Sequence, residues 1–399
     1  MKKQLSNSLA TSHGQGEHDL AKIATLHADS AGKRYQVIKL AIDAHSKFYM
    51  VARQLDNARP QPPQKFTREE LLKFVGKQLL LADKVYTCYE AGCFGFGLHR
   101  ELTALGAANF VIAPQNWDAR CERVKTDRTD ARAMLNNLGQ YLQGHTKALS
   151  VVRVPTKEEE LRRGRARQRG QFQNHLRRWI NQGKSLLLYH GLHVGWSWWQ
   201  EGHYAHVQKL VRKQLGESAA AVLVMLDDYR QMAVQVSEKF GALTREVVKT
   251  HQEQTAKKVA GGKAPTGRLR GLGDLSAAKL AQEICDWSRF TNRRQVSSYT
   301  GLCPGVSGSG GKFRGLSVTK HGNPRLRATL VELAWLMYHF QPNYRGVRKW
   351  KKVLSGKNRS ARKKAIVAVA RQLAVDLWRM ETGRSTPAKL GLEQLKRAA

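Results

Sequence analysis

The sequence predicts a multidomain α/β plus α protein: an α/β domain at the N-terminus, a helical coiled-coil middle and a mostly helical C-terminal domain. Three observations predict it. Up to about residue 150, short apolar runs of strand length alternate with capped amphipathic helices. Two long Arg-rich helical stretches follow. From about residue 269, a Gly-x-Gly turn opens a series of basic helices. The 399 residues are enough for two or three domains, and 41% hydrophobic content is enough for real cores.

Residues 1–33 are polar and rich in Ser, His and Gly, and read as a disordered tail. IKLAID, ending at Asp43, is a buried strand closed by an acid, and FYMVARQL reads as its hairpin partner. TREELLKFVGKQLLLADK is a helix, with Thr67 as N-cap and Glu70 three residues on, a capping box. KVYTCYEAG is a second strand closed by an acid, Glu90. FGLHRELTALGA is a helix, NFVIAP a third buried strand, and TDRTDARAMLNNLGQYL opens a further helix. The α/β domain is therefore placed at 34–150.

Residues 151–255 read as a basic helical hairpin or coiled coil, built from the helix after Thr156 and a second long helix after Ser218. The join between them carries Trp196, Trp198 and Trp199, read as local core or a dimer contact. Arg162, Arg163, Arg165, Arg167, Arg169, Arg177 and Arg178 cover several helix faces and are too dense for a core, so they can meet a groove or a folded RNA. Residues 256–268 read as a flexible basic linker, and 269–399 as the C-terminal domain. Gly271 and Gly273 frame a turn like that of a helix–hairpin–helix, whose backbone N–H groups can hold a phosphate. The run Ser307-Gly308-Ser309-Gly310-Gly311 reads as a mobile loop, with Lys312, Arg314, Lys320, Arg325 and Arg327 around it as candidate phosphate contacts.

The net charge of +37, from 68 Lys plus Arg against 31 Asp plus Glu, calls for a polyanion partner, and nucleic acid is the default. No apolar run reaches the ~20 residues of a membrane span, and the first residues lack the apolar core of a secretory signal. Five cysteines without a C-x-x-C pair argue for a reducing cytoplasm and against a zinc ribbon.

Against that charge, the acids in VKTDRTDAR draw notice. Asp127 and Asp130 lie one turn apart at a helix start, where acids also simply suit the helix dipole. Asp43 and Glu90, each ending a strand, give them company. Four such carboxylates offer hard oxygen ligands for Mg²⁺ beside a phosphodiester. Acids placed on strand, strand and helix in this order suggest an RNase-H-like fold.

AIDAHSK, YEAG and KTDRTDARAM, in that order and spacing, resemble the N-terminal domain of DEDD-type bacterial insertion-sequence transposases, which is similar to Holliday-junction resolvases. GLGDLSAAKLAQEI, YTGLCPGVSGSGGKFRG and the stretch Lys320–Arg327 resemble the C-terminal domain of the same family. The resemblance covers roughly 36–150 and 266–380; Cys93 and Gly95 in the glutamate motif depart from it. It implies a recombinase of an insertion sequence, steered to DNA by a structured non-coding guide RNA, in the bacterial cytoplasm at the nucleoid. It implies catalysis by Asp43, Glu90, Asp127 and Asp130, holding Mg²⁺, together with a serine that maps onto Ser307 and forms a covalent phosphoserine link. It also implies a dimer or tetramer in which acids and serine come from different subunits. Two other readings stay open: a resolvase-like nuclease using the acids alone with water as nucleophile, and a non-catalytic nucleic-acid binder.

Overall fold

The computed structural model describes residues 34–115, 127–260, 269–309 and 312–395. The expected N-terminal tail and residues 261–268 of the expected linker lie outside the described residues. The chain forms two units, Met1–Val154 and Pro155–Ala399, so the helical middle and the C-terminal helices group together.

The first unit is a mixed α/β layer. β1 (Tyr35–Ala44) and β2 (Tyr49–Leu55) pair antiparallel, and β3 (Gln64–Phe66) continues the meander. α1 (Arg68–Leu81), with the expected Thr67–Glu70 capping box, returns the chain so that β4 (Ala82–Glu90) runs parallel to β1. After α2 (Gly97–Ala104), β5 (Ala108–Ile112) runs parallel to β4, giving the order β3-β2-β1-β4-β5. α3 (Asp127–Leu142) follows. The strand β3 was not expected, because three residues are too few to show an alternation.

Because side chains alternate across a strand, the sheet has two buried faces. Ile38, Leu40 and Ile42 pack with Leu71 and Val75 of α1 and Leu98 and Leu102 of α2. Ala41, Cys88 and Ile112 pack on the other face with Ala131, Met134, Leu135 and Leu138 of α3. Burial on both faces explains why the parallel strands read as near-continuous apolar runs.

The second unit opens with α4 (Lys157–Tyr189), capped by a Thr156–Glu159 box, and pairs it with α6 (Ala219–Ala260). Between them lies α5 (Glu201–Leu215), a helix the sequence reading placed inside a join. The expected linker start is corrected, since α6 runs to Ala260: the stretch EQTAKKVA contains no Pro or Gly to stop it. Trp198 is buried and sits on α4, its Nε1 donating to the Ile180 carbonyl at 3.0 Å. A Cβ at Gly183 would lie 2.0 Å from the Trp198 ring, so this glycine is what lets the indole reach the helix backbone. The local-core reading of that tryptophan therefore holds, while Trp196 is half exposed.

α7 (Asp274–Ile284), α8 (Arg293–Thr300), α9 (Pro324–Phe340), α10 (Arg345–Leu354) and α11 (Arg359–Glu381) surround a core that includes Leu330, Leu333, Met337, Val369, Leu373 and Leu377. Asn292, Asn323 and Asn358 cap α8, α9 and α11 through their side-chain oxygens. β6 (Pro304–Ser309) and β7 (Lys312–Val318) form an antiparallel ribbon between α8 and α9. The sequence reading of that segment as a loop is corrected. Gly and Ser are weak strand formers, and here the ladder of backbone bonds makes the ribbon in spite of them.

Several of the clustered arginines tie this unit together. Arg165 pairs with Glu246 across the helical hairpin. Arg169 is buried, donates to Thr244 Oγ1 at 2.8 Å and lies 4.5 Å over the Phe240 ring. The expectation that the cluster is too dense for a core is therefore corrected at Arg169: its stem and ring contact bury it, and the Thr244 hydroxyl oxygen accepts a hydrogen bond from its Nε–H. Arg163 donates to the Gln282 carbonyl and to Cys285 Sγ, at 3.4 and 3.0 Å. Arg167 pairs with the buried carboxylate of Glu283, which also accepts from Asn323 Nδ2 at 2.7 Å. Burial works to raise the Glu283 pKa, but the bonds from Arg167 and Asn323 outweigh it and leave it lowered. A lowered folded-state value gives stability that is present above the unfolded Glu value of about 4.3 and is lost as pH falls through the folded one. Acid unfolding followed by circular dichroism should therefore show Glu283→Gln less stable than the parent at neutral pH. The gap should close as pH falls below about 4.

Candidate active site

The acids at the ends of β1 and β4 come together by register. Ile42 and Tyr89 are the last paired residues of the two parallel strands, and Asp43 and Glu90 each follow by one residue. They stand side by side at the carboxyl ends of neighbouring strands, about 4.8 Å apart in the sheet direction. Parity decides their face. Ala41, two before Asp43, and Cys88, two before Glu90, both belong to the face covered by α3, so the acids share that face.

α3 brings Asp130 to the same layer. Its buried stripe is Ala131, Met134, Leu135 and Leu138. Asp130 sits four residues before Met134, so it continues the stripe into the first turn, beyond the apolar part. The Asp127 side chain lies outside the described residues. Asp43, Glu90 and Asp130 are all half-buried, and Glu90 Oε1 accepts from the Gln115 backbone N–H at 3.3 Å. Burial first and then the neighbouring Glu90 charge push the Cys88 thiol far above its ordinary pKa, so Cys88 is a neutral floor under the acids. Among the described residues no three His, Cys, Asp or Glu side chains are gathered closely enough to enclose an ion. The donor set still suits Mg²⁺, which takes one or two carboxylates plus substrate phosphate oxygens rather than an all-protein cage.

The serine-bearing segment is built differently. Gly301 ends α8 with φ +65°, and Gly322 has φ +136°. A Cβ on Gly301 would lie 2.8 Å from the His321 carbonyl, and one on Gly322 would lie 2.6 Å from the Gly301 nitrogen. The two glycine motifs thus press backbone on backbone. Around them the Thr319 N–H donates to Cys303 and the Asn323 N–H to Tyr299, both at 2.8 Å. Arg327 donates to the carbonyls of Lys320 and Thr300, at 3.0 and 3.4 Å. These bonds clamp the root of the ribbon.

From that root the ribbon stands in solvent. Val306 is 62% exposed and Leu316 51%, and Ser307 is exposed opposite Arg314. Direct cross-strand partners hold their side chains about 5 Å apart on one face. A free hydroxyl beside an exposed guanidinium can receive a phosphate group.

The structure gives varied surroundings to the expected nucleic-acid contacts. Arg177, Arg178, Arg314, Lys320 and Arg325 are exposed. Arg163, Arg165, Arg167 and Arg327 have partners within the chain, as described above. Arg162 is half-buried, and the Lys312 side chain lies outside the described residues. Gly271 has φ +84° and Gly273 is the N-cap of α7. A backbone bridge from Leu269 to Gln394 precedes that turn among the described residues. Sequence reasoning missed the buried acids Glu283 and Asp376. The signal was present: in a chain so short of acids, a lone carboxylate inside an apolar run such as LAVDLW must be paired.

Residues 267–347 match the model of the Transposase IS116/IS110/IS902 family, a span that contains the α7 turn and the whole serine ribbon. The chain is 25% identical over 292 residues to the transposase for insertion sequence element IS1111A of Coxiella burnetii, covering 72% of this chain and 75% of that one. It is 24% identical over 310 residues to the transposase for insertion sequence element IS1533 of Leptospira borgpetersenii, covering 75% and 84%. With y4rJ of Sinorhizobium fredii, described as a transposase, it shares 32% identity over 308 residues, which is 73% of this chain and 75% of the relative. With that identity sustained across three quarters of both chains, the protein belongs to the IS116/IS110/IS902 family of insertion-sequence transposases, enzymes of DNA transposition.

Proposed function

We propose that this transposase cuts and rejoins DNA through a covalent serine link, with Ser307 as nucleophile and Asp43, Glu90, Asp127 and Asp130 as the acidic half of the site. The observation that carries this reading is the ribbon: Ser307 stands exposed on it, opposite Arg314, above a root clamped by two glycine motifs. In the reaction the Ser307 Oγ–P bond forms as the phosphodiester P–O bond breaks. The serine proton goes to solvent or base, and the leaving sugar oxygen ends as a hydroxyl. One phosphodiester replaces another, so the link keeps its energy for rejoining. Arg314 steadies the charge on the non-bridging oxygens as phosphorus becomes crowded.

The four acids are the residues that would hold Mg²⁺. When bound, the ion polarises a phosphate and offsets its developing charge. The sheet order, with β1 central and β2 alone antiparallel beside it, supports an RNase-H-like reading of the first unit. Acids at the carboxyl ends of the parallel strands fit the general placement of sites in such sheets. The charge of +37 and the exposed Arg177 and Arg178 on α4 support a second polyanion, a structured guide RNA. The protein acts as a homo-oligomer in which acids of one subunit serve with the serine of another.

The test is a search for the adduct. The gene is expressed with its flanking DNA, so that any guide RNA is present, beside a plasmid carrying the element ends. Stalled complexes are digested and the DNA-linked peptide is mapped by mass spectrometry. The expected peptide carries its link on Ser307, and Ser307→Ala should yield none. Cut ends that still form in Ser307→Ala, without adduct, would replace this reading with a nuclease using water.

A further inference from the structure

A cleft of about 700 Å³ opens in the second unit between α8, α10 and α11. Its walls carry Arg293, Arg294, Arg345, Lys349, Arg371 and Arg379. One acid stands behind this array. Asp376 is fully buried and accepts from Arg345, from Arg379 Nη1 at 3.2 Å, from Tyr344 Oη at 2.9 Å and from Gln372 Nε2 at 3.0 Å. It fixes two of the guanidiniums and leaves the cleft strongly positive. Lys349 and Arg371 are exposed and make no ion pair among the described residues. Six like charges around one concavity repel one another and raise the local potential, an arrangement that a polyanion relieves.

The cleft also has a position relative to the ribbon. Cys303 and Pro304 line it, and Pro304 begins β6. Ser307 lies three residues further along the same strand, about 10 Å away at strand rise. Trp350 adds a half-buried apolar surface on α10. We propose that this cleft grips the sugar–phosphate backbone of the DNA strand that Ser307 attacks, with Lys349 and Arg371 as phosphate contacts and Asp376 as the positioning residue for Arg345 and Arg379. The proposal rests on the serine reading above for its choice of strand. A strand entering at the ribbon root would carry its neighbouring phosphates along the cleft and its next phosphate to the serine.

The experiment uses full-length protein carrying Ser307→Ala, which on the serine reading holds DNA without cutting it, and the same protein with Lys349→Ala and Arg371→Ala added. Neither lysine nor arginine supports the fold through an ion pair, and circular dichroism should confirm that both proteins are folded. Each is titrated with a fluorescein-labelled duplex of the element end at several salt concentrations. Each phosphate contact contributes about 0.9 to the slope of log K against log salt, so losing two should lower the slope by about 1.8. In parallel, alkylation of Cys303 by N-ethylmaleimide is followed by mass spectrometry, with Cys285, which does not line the cleft, as reference. DNA should slow Cys303 severalfold relative to Cys285. An unchanged slope together with an unprotected Cys303 overturns the proposal. Protection by the flanking RNA transcript but not by DNA overturns it too, and makes the cleft an RNA site. Cutting that persists in Ser307→Ala strikes the serine reading alone, because slope and protection are measured without cleavage.

Discussion

Asp43→Asn and Glu90→Gln are each expected to lower strand cutting by on the order of 10³-fold, about 4 kcal/mol in barrier, while leaving DNA binding in place. Both changes keep the size of the side chain and remove its charge. Both positions are half-buried at the ends of neighbouring parallel strands and on one face of the sheet. Neither residue belongs to the apolar core, so the sheet has no packing reason to fail. On the proposed reading, what is lost is negative charge where a phosphate and its counter-cation meet. The assay is conversion of supercoiled plasmid carrying the element ends, with filter binding of the same DNA alongside. Asp83→Asn supplies the comparison, since Asp83 is exposed at the opposite end of β4 and should cut like the parent. If Asp43→Asn and Glu90→Gln also cut like the parent, the strand-end acids are structural and the reaction belongs elsewhere in the chain.

These acids were legible in the sequence for a simple reason. A strand buried on both faces reads as a near-continuous apolar run, so an acid that ends it stands out. Asp130 was legible through its spacing of one turn from Asp127 at a helix start. The ribbon was not. Its residues have little strand propensity, and it is held by its root, where Thr319 bonds Cys303 and Gly322 presses on Gly301, contacts no local pattern announces. The partners of the arginines were equally hidden. Arg163 and Arg167 find Cys285 and Glu283 more than a hundred positions away, and on a helix wheel they look like Arg177 and Arg178, which are exposed. The helix α5 was lost because the tryptophan-rich stretch before it has no periodicity. Trp198 is ordered by a glycine on another helix instead.

Asp376→Ala is expected to destabilise the second unit by about 3 kcal/mol, near the lower end for breaking a buried ion pair. The carboxylate is fully buried, whereas Arg345 and Arg379 are 43% and 29% exposed, so both cations can turn to water once released. Tyr344 cannot. It is fully buried, its hydroxyl donates to Asp376, and it would be left without that acceptor. Burial first, and then the Asp376 charge, already hold the Tyr344 hydroxyl well above its ordinary pKa, so it remains a neutral donor throughout the usual pH range. Tyr344→Phe should therefore cost less, about 1.5 kcal/mol, the lower end for a hydrogen bond to a charged group. The double variant should cost less than the sum, because the two side chains share one bond. Because a two-unit chain need not unfold in one step, the measurement is native-state hydrogen exchange, read at the α11 amides around Val375 and Leu377. Slower loss of protection in Asp376→Ala than in Tyr344→Phe would mean that the acid is not what holds this part of the unit. The cleft arginines would then owe their placement to the helices alone.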